Sequence, residues 1–237
     1  MEVRLKSRRA VSAIDLALGQ RKPGEDEFVQ WLREACAARN LRLEVLHEDV
    51  VREIHTSICS GKLRVGTLLD LTARWWNMDD PYVQLCYAVK DTGGKVIDDP
   101  DAAMMADHKV VSHHRLEKAG LPVPPSVVLR SWVPDRELTA EERKRVGDRV
   151  VIKPAKGWGF QGVVLDSTGD IEAIAQAREF DRTDDYLIQR QIEWTRLPDD
   201  EGIMRPAWWR CYYVFGEIIP CWWDPTTGDY RHVSLRE

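Results

Sequence analysis

Apolar positions along the chain switch repeatedly between a helical and a strand period. In "EDEFVQWLREACAAR", residues 25–39, Phe28, Trp31, Leu32, Ala35 and Cys36 recur at i, i+3, i+4, i+7 and i+8, with acids crowding the first turn. That spacing predicts an amphipathic helix. "LRLEVLHEDVV" follows with Leu41, Leu43 and Val45 alternating, which predicts a strand. A short helix over 49–60, closed by Gly61, leads to "VGTLLDLTAR", a buried strand; 81–90 then has helical spacing and "GKVID" is another strand. Such alternation predicts a small parallel α/β domain ending near Pro100. Beyond it, 107–119 is expected to be helical, with Gly120 as its C-terminal cap and Pro122, Pro124 and Pro125 forbidding continuation. "PSVVLRSW" predicts a strand, 134–148 a helix or loop, 169–181 a short helix and "DYLIQRQI" a strand. The Pro-, Asp- and Gly-rich segment 196–206 is expected to be a loop, and "WWRCYYVFGEIIPCWW" a hairpin turning near Gly216–Glu217.

Composition narrows the class. The chain has 237 residues, 43% hydrophobic and 31% charged, enough for one large domain or two moderate ones. A net charge of −5 gives no basic footprint for nucleic acid, and no apolar run reaches the roughly 20 residues that span a bilayer. The N-terminal stretch is basic and then briefly apolar, but Asp15 interrupts it and no small-residue cleavage site follows, which argues against a secretory signal. Five cysteines without a C-x-x-C pair indicate buried thiols in a reducing cytoplasm. Ten tryptophans include the adjacent pairs Trp75–Trp76, Trp208–Trp209 and Trp222–Trp223. On strands, such neighbours point to opposite faces, so both faces are expected to be covered. His108, His113 and His114 share a helix without metal-ligand spacing and are expected to be solvated.

The chemistry concentrates in "VVIKPAKGWGFQGVVL", residues 150–165, which holds G-x-G-x-x-G at Gly157, Gly159 and Gly162. A dinucleotide-binding loop needs a helix directly after it, because the pyrophosphate rests on that helix's N-terminus. Here Gly162 leads into "VVLD", a strand, and no Gly-Lys-Ser/Thr closes the run as in a P-loop. A kinase loop carries its lysine on the following strand and is followed by H-R-D and D-F-G. Here Lys153 precedes the loop and neither motif exists. What remains is a β-hairpin lid, with a lysine on the incoming strand and glycines whose N–H groups can approach a triphosphate, or else an ordinary hairpin with a flexible tip.

Taken in order, five segments resemble the ATP-grasp superfamily, closest to its glutathione-synthetase-like and ribosomal-protein glutamate ligase branch. They are "ADHK" ahead of a helix, "AGLPVPPSVVL", "VVIKPAKGWGFQGVVL", "YLIQRQIE", and "WWRCYYVFGEII" with "GDYR". The likeness covers about residues 105–232. It implies an α/β fold with an α+β lid: an N-terminal parallel α/β domain over 1–104 and an ATP-grasp domain over 105–237. Within the latter, a lid subdomain spans about 107–190, and a C-terminal subdomain begins over about 191–237. The family phosphorylates a carboxylate with ATP and lets an amine attack the acyl phosphate, releasing ADP and phosphate. By position, Lys109 and Lys153 would contact ATP phosphates and the Gly157, Gly159 and Gly162 loop would cover them. Gln189, Arg190, Gln191 and Ile192 would line the adenine pocket, mostly through backbone groups. Arg210 would be catalytic, facing the phosphates or the acyl phosphate; read alone, it needs an anion or an aromatic face.

The pattern departs from the family at Trp208, where an acid usually stands, and at Asp224, where an arginine often does. The resemblance also implies magnesium, held by an aspartate and then a glutamate and an asparagine that would lie beyond residue 237. The sequence is therefore expected to be a C-terminally incomplete ligase, the rival being a non-catalytic ATP-binding module lacking the metal-binding end. Expected partners are ATP, a small-molecule or peptide carboxylate and an amine donor, with homo-oligomerisation left open.

Overall fold

The computed structural model describes residues 11–21, 27–157, 159–198, 201–224, 227 and 230–232. The first strand, β1 (Ser12–Gly19), was absent from the elements expected from periodicity. It is one of two inner strands of a parallel sheet, where a near-continuous apolar run replaces alternation. Ile14, Ala17 and Leu18 are buried, while the interrupting Asp15 is exposed and accepts from the Arg42 backbone N–H at 2.7 Å. Next come α1 (Glu27–Ala37), β2 (Leu43–Leu46), α2 (Glu48–Cys59), β3 (Leu63–Asp70), α3 (Pro81–Asp91) and β4 (Lys95–Ile97), close to the predicted elements. The strand order is β2-β1-β3-β4, all parallel. Its core joins Ile14, Leu46, Val65 and Leu68 of the sheet to Val51, Ile58, Tyr82 and Leu85 of the helices. Trp75 packs against this core, but the Trp75–Trp76 pair lies in a turn after β3 and not on a strand.

Pro100 is the first residue of a helix. Asp99 caps α4 (Pro100–Asp107), accepting from the N–H groups of Asp101 and Ala102. The chain breaks at His108 and resumes as α5 (Lys109–Lys118), which is the helix expected over 107–119, so α4 is an additional helix. A second sheet follows, built from β5 (Ser126–Leu129), then, after α6 (Ala140–Val146), β6 (Val150–Pro154) and β7 (Val164–Ser167), and, after α7 (Ile171–Arg178), β8 (Tyr186–Arg190). Its order is β5-β8-β6-β7, with β5–β8 and β6–β7 antiparallel. Val127, Leu129, Val150, Ile152, Tyr186 and Ile188 pack on one face beneath α6 and α7. Strand alternation sends Lys153 to the other face, where Val110 of α5 packs on Ala155, Leu187 and Val128.

Contacts divide the chain after Gln189. The unit from Arg190 onward holds an antiparallel sheet ordered β12-β11-β10-β9, made of β9 (Thr195–Pro198), β10 (Met204–Val214), β11 (Glu217–Trp223) and β12 (Tyr230–His232). The segment expected to be a loop over 196–206 is largely hairpin, Met204 pairing with Pro198 and Ala207 with Thr195. Trp208 faces Trp223 and Trp209 faces Trp222 in register, with ring centroids 5.4 and 3.8 Å apart. The pairs do project to opposite faces, yet Trp209 remains 56% exposed, so within this unit only one face is covered there.

Candidate functional site

Lys109 and Lys153 arrive from different elements. The His108 ring, at the N-cap of α5, accepts from the Val111 N–H at 3.4 Å, and the Lys109 N–H donates to Ala155 O at 2.8 Å. The first turn of α5 is thereby tied to the end of β6, and the Lys109 ammonium donates to the Gly157 carbonyl at the loop's entrance. Lys153 Nζ donates to Gln189 Oε1 at 2.7 Å, and Gln189 Nε2 donates to Ser126 Oγ at 3.2 Å.

Both lysines are half-buried. Burial pushes the Lys153 ammonium below the ordinary lysine range, and the nearby positive charge of Lys109 pushes it further. Burial lowers Lys109 as well, opposed by Asp107 and Asp184. Asp107 is itself raised by burial, against the pull of Lys109 and His108. Two like charges drawn out of water on one sheet face are stabilised by an anion between them.

The loop is built from left-handed backbone. Gly157, Gly159, Phe160 and Gly162 have φ of 109°, 60°, 63° and 66°. A side chain at Gly162 would strike the ring of Phe180, whereas one at Gly159 would meet no neighbour within 4 Å among the described residues. Asp184, 2% exposed, clamps the loop's base by accepting from the Lys156 N–H at 2.7 Å and the Asp185 N–H at 2.9 Å. The expected strand–loop–strand is present: Ile152 pairs with Val164 and Val150 with Ser167, antiparallel, and no helix starts at Gly162.

Of the remaining site residues, Gln189 joins Lys153, while Arg190, Gln191 and Ile192 open the second unit, Arg190 and Ile192 exposed. Arg210 lies on β10 with its guanidinium 4.5 Å from the Trp223 ring centroid, so the aromatic face that the sequence asked for is present. Trp194 continues this stack, 5.4 Å from Trp208. Asp224 is buried. Ser126, Lys156 and Asp184 were missed by the sequence reading, because they act through contacts 28 to 63 residues away and no local pattern marks them. His113 was misjudged: it is 7% exposed, and burial lowers its pKa.

Among the described residues no group of three or more His, Cys, Asp and Glu side chains is arranged to hold a metal ion. Asp184, beside the lysines, is committed to backbone N–H groups, so these residues do not form a magnesium site. Trp158, Gly228, Asp229 and Glu237 lie outside the described residues. No helix among the described residues is long and apolar enough to cross a membrane.

No family model matches the sequence, and no curated protein does. Solved structures do match. An ATP-grasp RimK domain protein from Sphaerobacter thermophilus superposes with a TM-score of 0.56 at 18% identity, over 76% of this chain and 65% of its own. For D-cycloserine synthetase DcsG the values are 0.55 and 18%, over 75% and 59%. For D-alanyl-alanine synthetase A from Vibrio cholerae they are 0.52 and 12%, over 91% and 67%. The chain thus spans 65% and 59% of the length of the first two. With its parallel N-terminal sheet, glycine-loop lid and following antiparallel strands, the chain has the ATP-grasp fold.

Proposed function

We propose that the chain binds ATP through its lid sheet and serves ATP-dependent carboxylate–amine ligation. The observation that carries this reading is the pair Lys109 and Lys153, two half-buried ammonium groups. Lys109 donates to the Gly157 carbonyl at the mouth of the glycine loop and Lys153 to Gln189; both are lowered by burial, and Lys153 also by the charge of Lys109. Such a pair weakens the free protein and is relieved by a polyanion. A triphosphate supplies about four negative charges near neutral pH, and the left-handed loop can turn successive backbone N–H groups toward phosphate oxygens.

In this reading Lys109 releases the Gly157 carbonyl and turns to the phosphates, and Lys153 meets them while held by Gln189. The residues Gln189 to Ile192 bind adenine, and Arg210 neutralises charge on the transferring group. The carboxylate attacks the γ-phosphorus, ADP leaves, and the amine displaces phosphate from the acyl phosphate. Magnesium would supply further charge neutralisation in such a transfer, but no group of the described residues is arranged to hold it. The synthetase names carried by two of the matched structures support ligation as the reaction class.

The test is direct. ATP is titrated against the protein and its Lys153→Met variant, and ADP release is followed with magnesium, an amine and a panel of carboxylates. Carboxylate-dependent ADP release supports the ligase. ATP binding without it leaves the non-catalytic module, and absence of ATP binding removes both readings.

A further inference from the structure

We infer that Ser126 is a positioning residue for nucleotide binding, acting through Gln189 to hold the Lys153 ammonium toward the phosphates. The inference rests on the proposed ATP site and extends it to a residue no motif marks. A serine hydroxyl has one proton and two lone pairs. The Ser126 proton is committed, donated to the Pro124 carbonyl at 2.9 Å. That carbonyl sits between two prolines, whose locked φ angles hold it in place. Ser126 Oγ therefore offers Gln189 only lone pairs, and the group 3.2 Å away must be the amide nitrogen Nε2.

This fixes the amide in one of its two orientations. With Nε2 on Ser126, Oε1 points the other way and accepts from Lys153 Nζ at 2.7 Å. The reversed amide would set an NH2 against an ammonium, donor against donor. Orientation matters because burial and the Lys109 charge both favour loss of the Lys153 proton, whereas a carbonyl accepting from the ammonium favours keeping it. The charged or titratable groups around Lys153 are Lys109 and His113, both on α5. His113 titrates below 6.5 and so stays out of the alkaline range.

The experiment measures ATP affinity from pH 7 to 10 for the wild type, Ser126→Ala, Ser126→Thr, Lys153→Met and Gln189→Glu, with and without Ser126→Ala. ATP needs the charged lysine, so affinity is full below the folded pKa of Lys153 and falls as pH rises through it. In Ser126→Ala we expect affinity lower by about three- to ten-fold, the size of one ordinary hydrogen bond. The alkaline fall should also begin at lower pH. Ser126→Thr, which keeps the hydroxyl, should restore both. Glu at 189 accepts from Lys153 through either oxygen and has no amide to orient. In that background removing the Ser126 hydroxyl should no longer weaken binding or lower the alkaline limb, a readout that survives if Ser126→Ala alone does not fold. A Ser126→Ala protein with unchanged affinity and alkaline limb, while Lys153→Met loses binding, overturns the inference. So does a loss equal at every pH that threonine does not repair. If Lys153→Met also binds ATP normally, the nucleotide site itself is misassigned, which separates failure of the site from failure of the relay.

Discussion

Replacing Lys153 by Met separates a binding lysine from a structural one, because the two roles predict opposite patterns. Methionine keeps the unbranched stem and removes the charge. In the free protein the loss has two parts. Burial of the ammonium and repulsion by Lys109 disappear, which stabilises the fold. Gln189 Oε1 loses the donor it has at 2.7 Å, which costs about 1 kcal/mol. The parts oppose each other, so the midpoint of thermal unfolding should move by less than about 4 °C. ATP binding has no such compensation. A charge-assisted hydrogen bond contributes about 1.5–3 kcal/mol, so the Kd should rise roughly 10- to 150-fold. Calorimetric titration and thermal unfolding of the same preparations give both numbers. An unchanged Kd refutes the site, and a Kd that weakens only in step with a large fall in stability shows that Lys153 merely supports the sheet.

What local pattern could show was largely visible. Helices lay close to the expected positions, although α1 buries Val29 and Cys36 and leaves Phe28 and Trp31 of the expected stripe exposed. The lid hairpin followed from two features, Lys153 before the glycines and β-favouring residues after them. β1 escaped because its signal is burial on both faces, which has no period, and Asp15 looked like an interruption when it was a link to Arg42. α4 was not foreseen because Asp99 and Pro100 are residue types that suit a turn as well as an N-cap and first helical position. In the site, residues within the motif could be named, but their partners could not. Lys109 reaches Gly157 across 48 residues and Gln189 reaches Ser126 across 63, distances at which spacing carries no information. His113 looked solvated because charged neighbours surround it in sequence, whereas α5 turns that ring inward.

Four further outcomes test the same account. Lys109→Gln should release the Gly157 carbonyl, making the loop more readily cut by protease in the absence of nucleotide, with ATP protecting it less than in the wild type; unchanged cleavage would remove the clasp. Gly162→Ala meets the Phe180 ring at a φ of 66° and should destabilise the protein by about 1–3 kcal/mol in urea unfolding, and a neutral variant would show the loop is free to shift. Glu142, held down to about 2 chiefly by hydrogen bonds from Arg136 at 2.7 Å, should make Glu142→Gln less stable by about 1–2 kcal/mol at neutral pH, after discounting for water around Arg136. Because this carboxylate's folded pKa is depressed, the deficit should be complete above pH 4.5 and vanish as pH falls toward 2; a deficit that persists at pH 2 would point to lost packing. The last outcome concerns both site lysines, whose folded pKa values lie below the ordinary 10.5. Between the folded values and 10.5 the unfolded chain binds more protons than the folded one, so their contribution to stability rises with pH. In the proposed site ATP requires the protonated pair, so the stabilisation it confers should shrink over the same range. Tyr82, raised to about 12, and the buried Cys86 thiol act in the opposite direction, since unfolding frees them to ionise. The lysine term is therefore the difference between the wild type and a Lys109→Met, Lys153→Met double variant, measured from pH 8 to 10. Wild-type stability should climb relative to the double variant while its ATP-induced gain declines, and parallel pH curves for the two proteins would show that the lysines are not buried charges awaiting an anion.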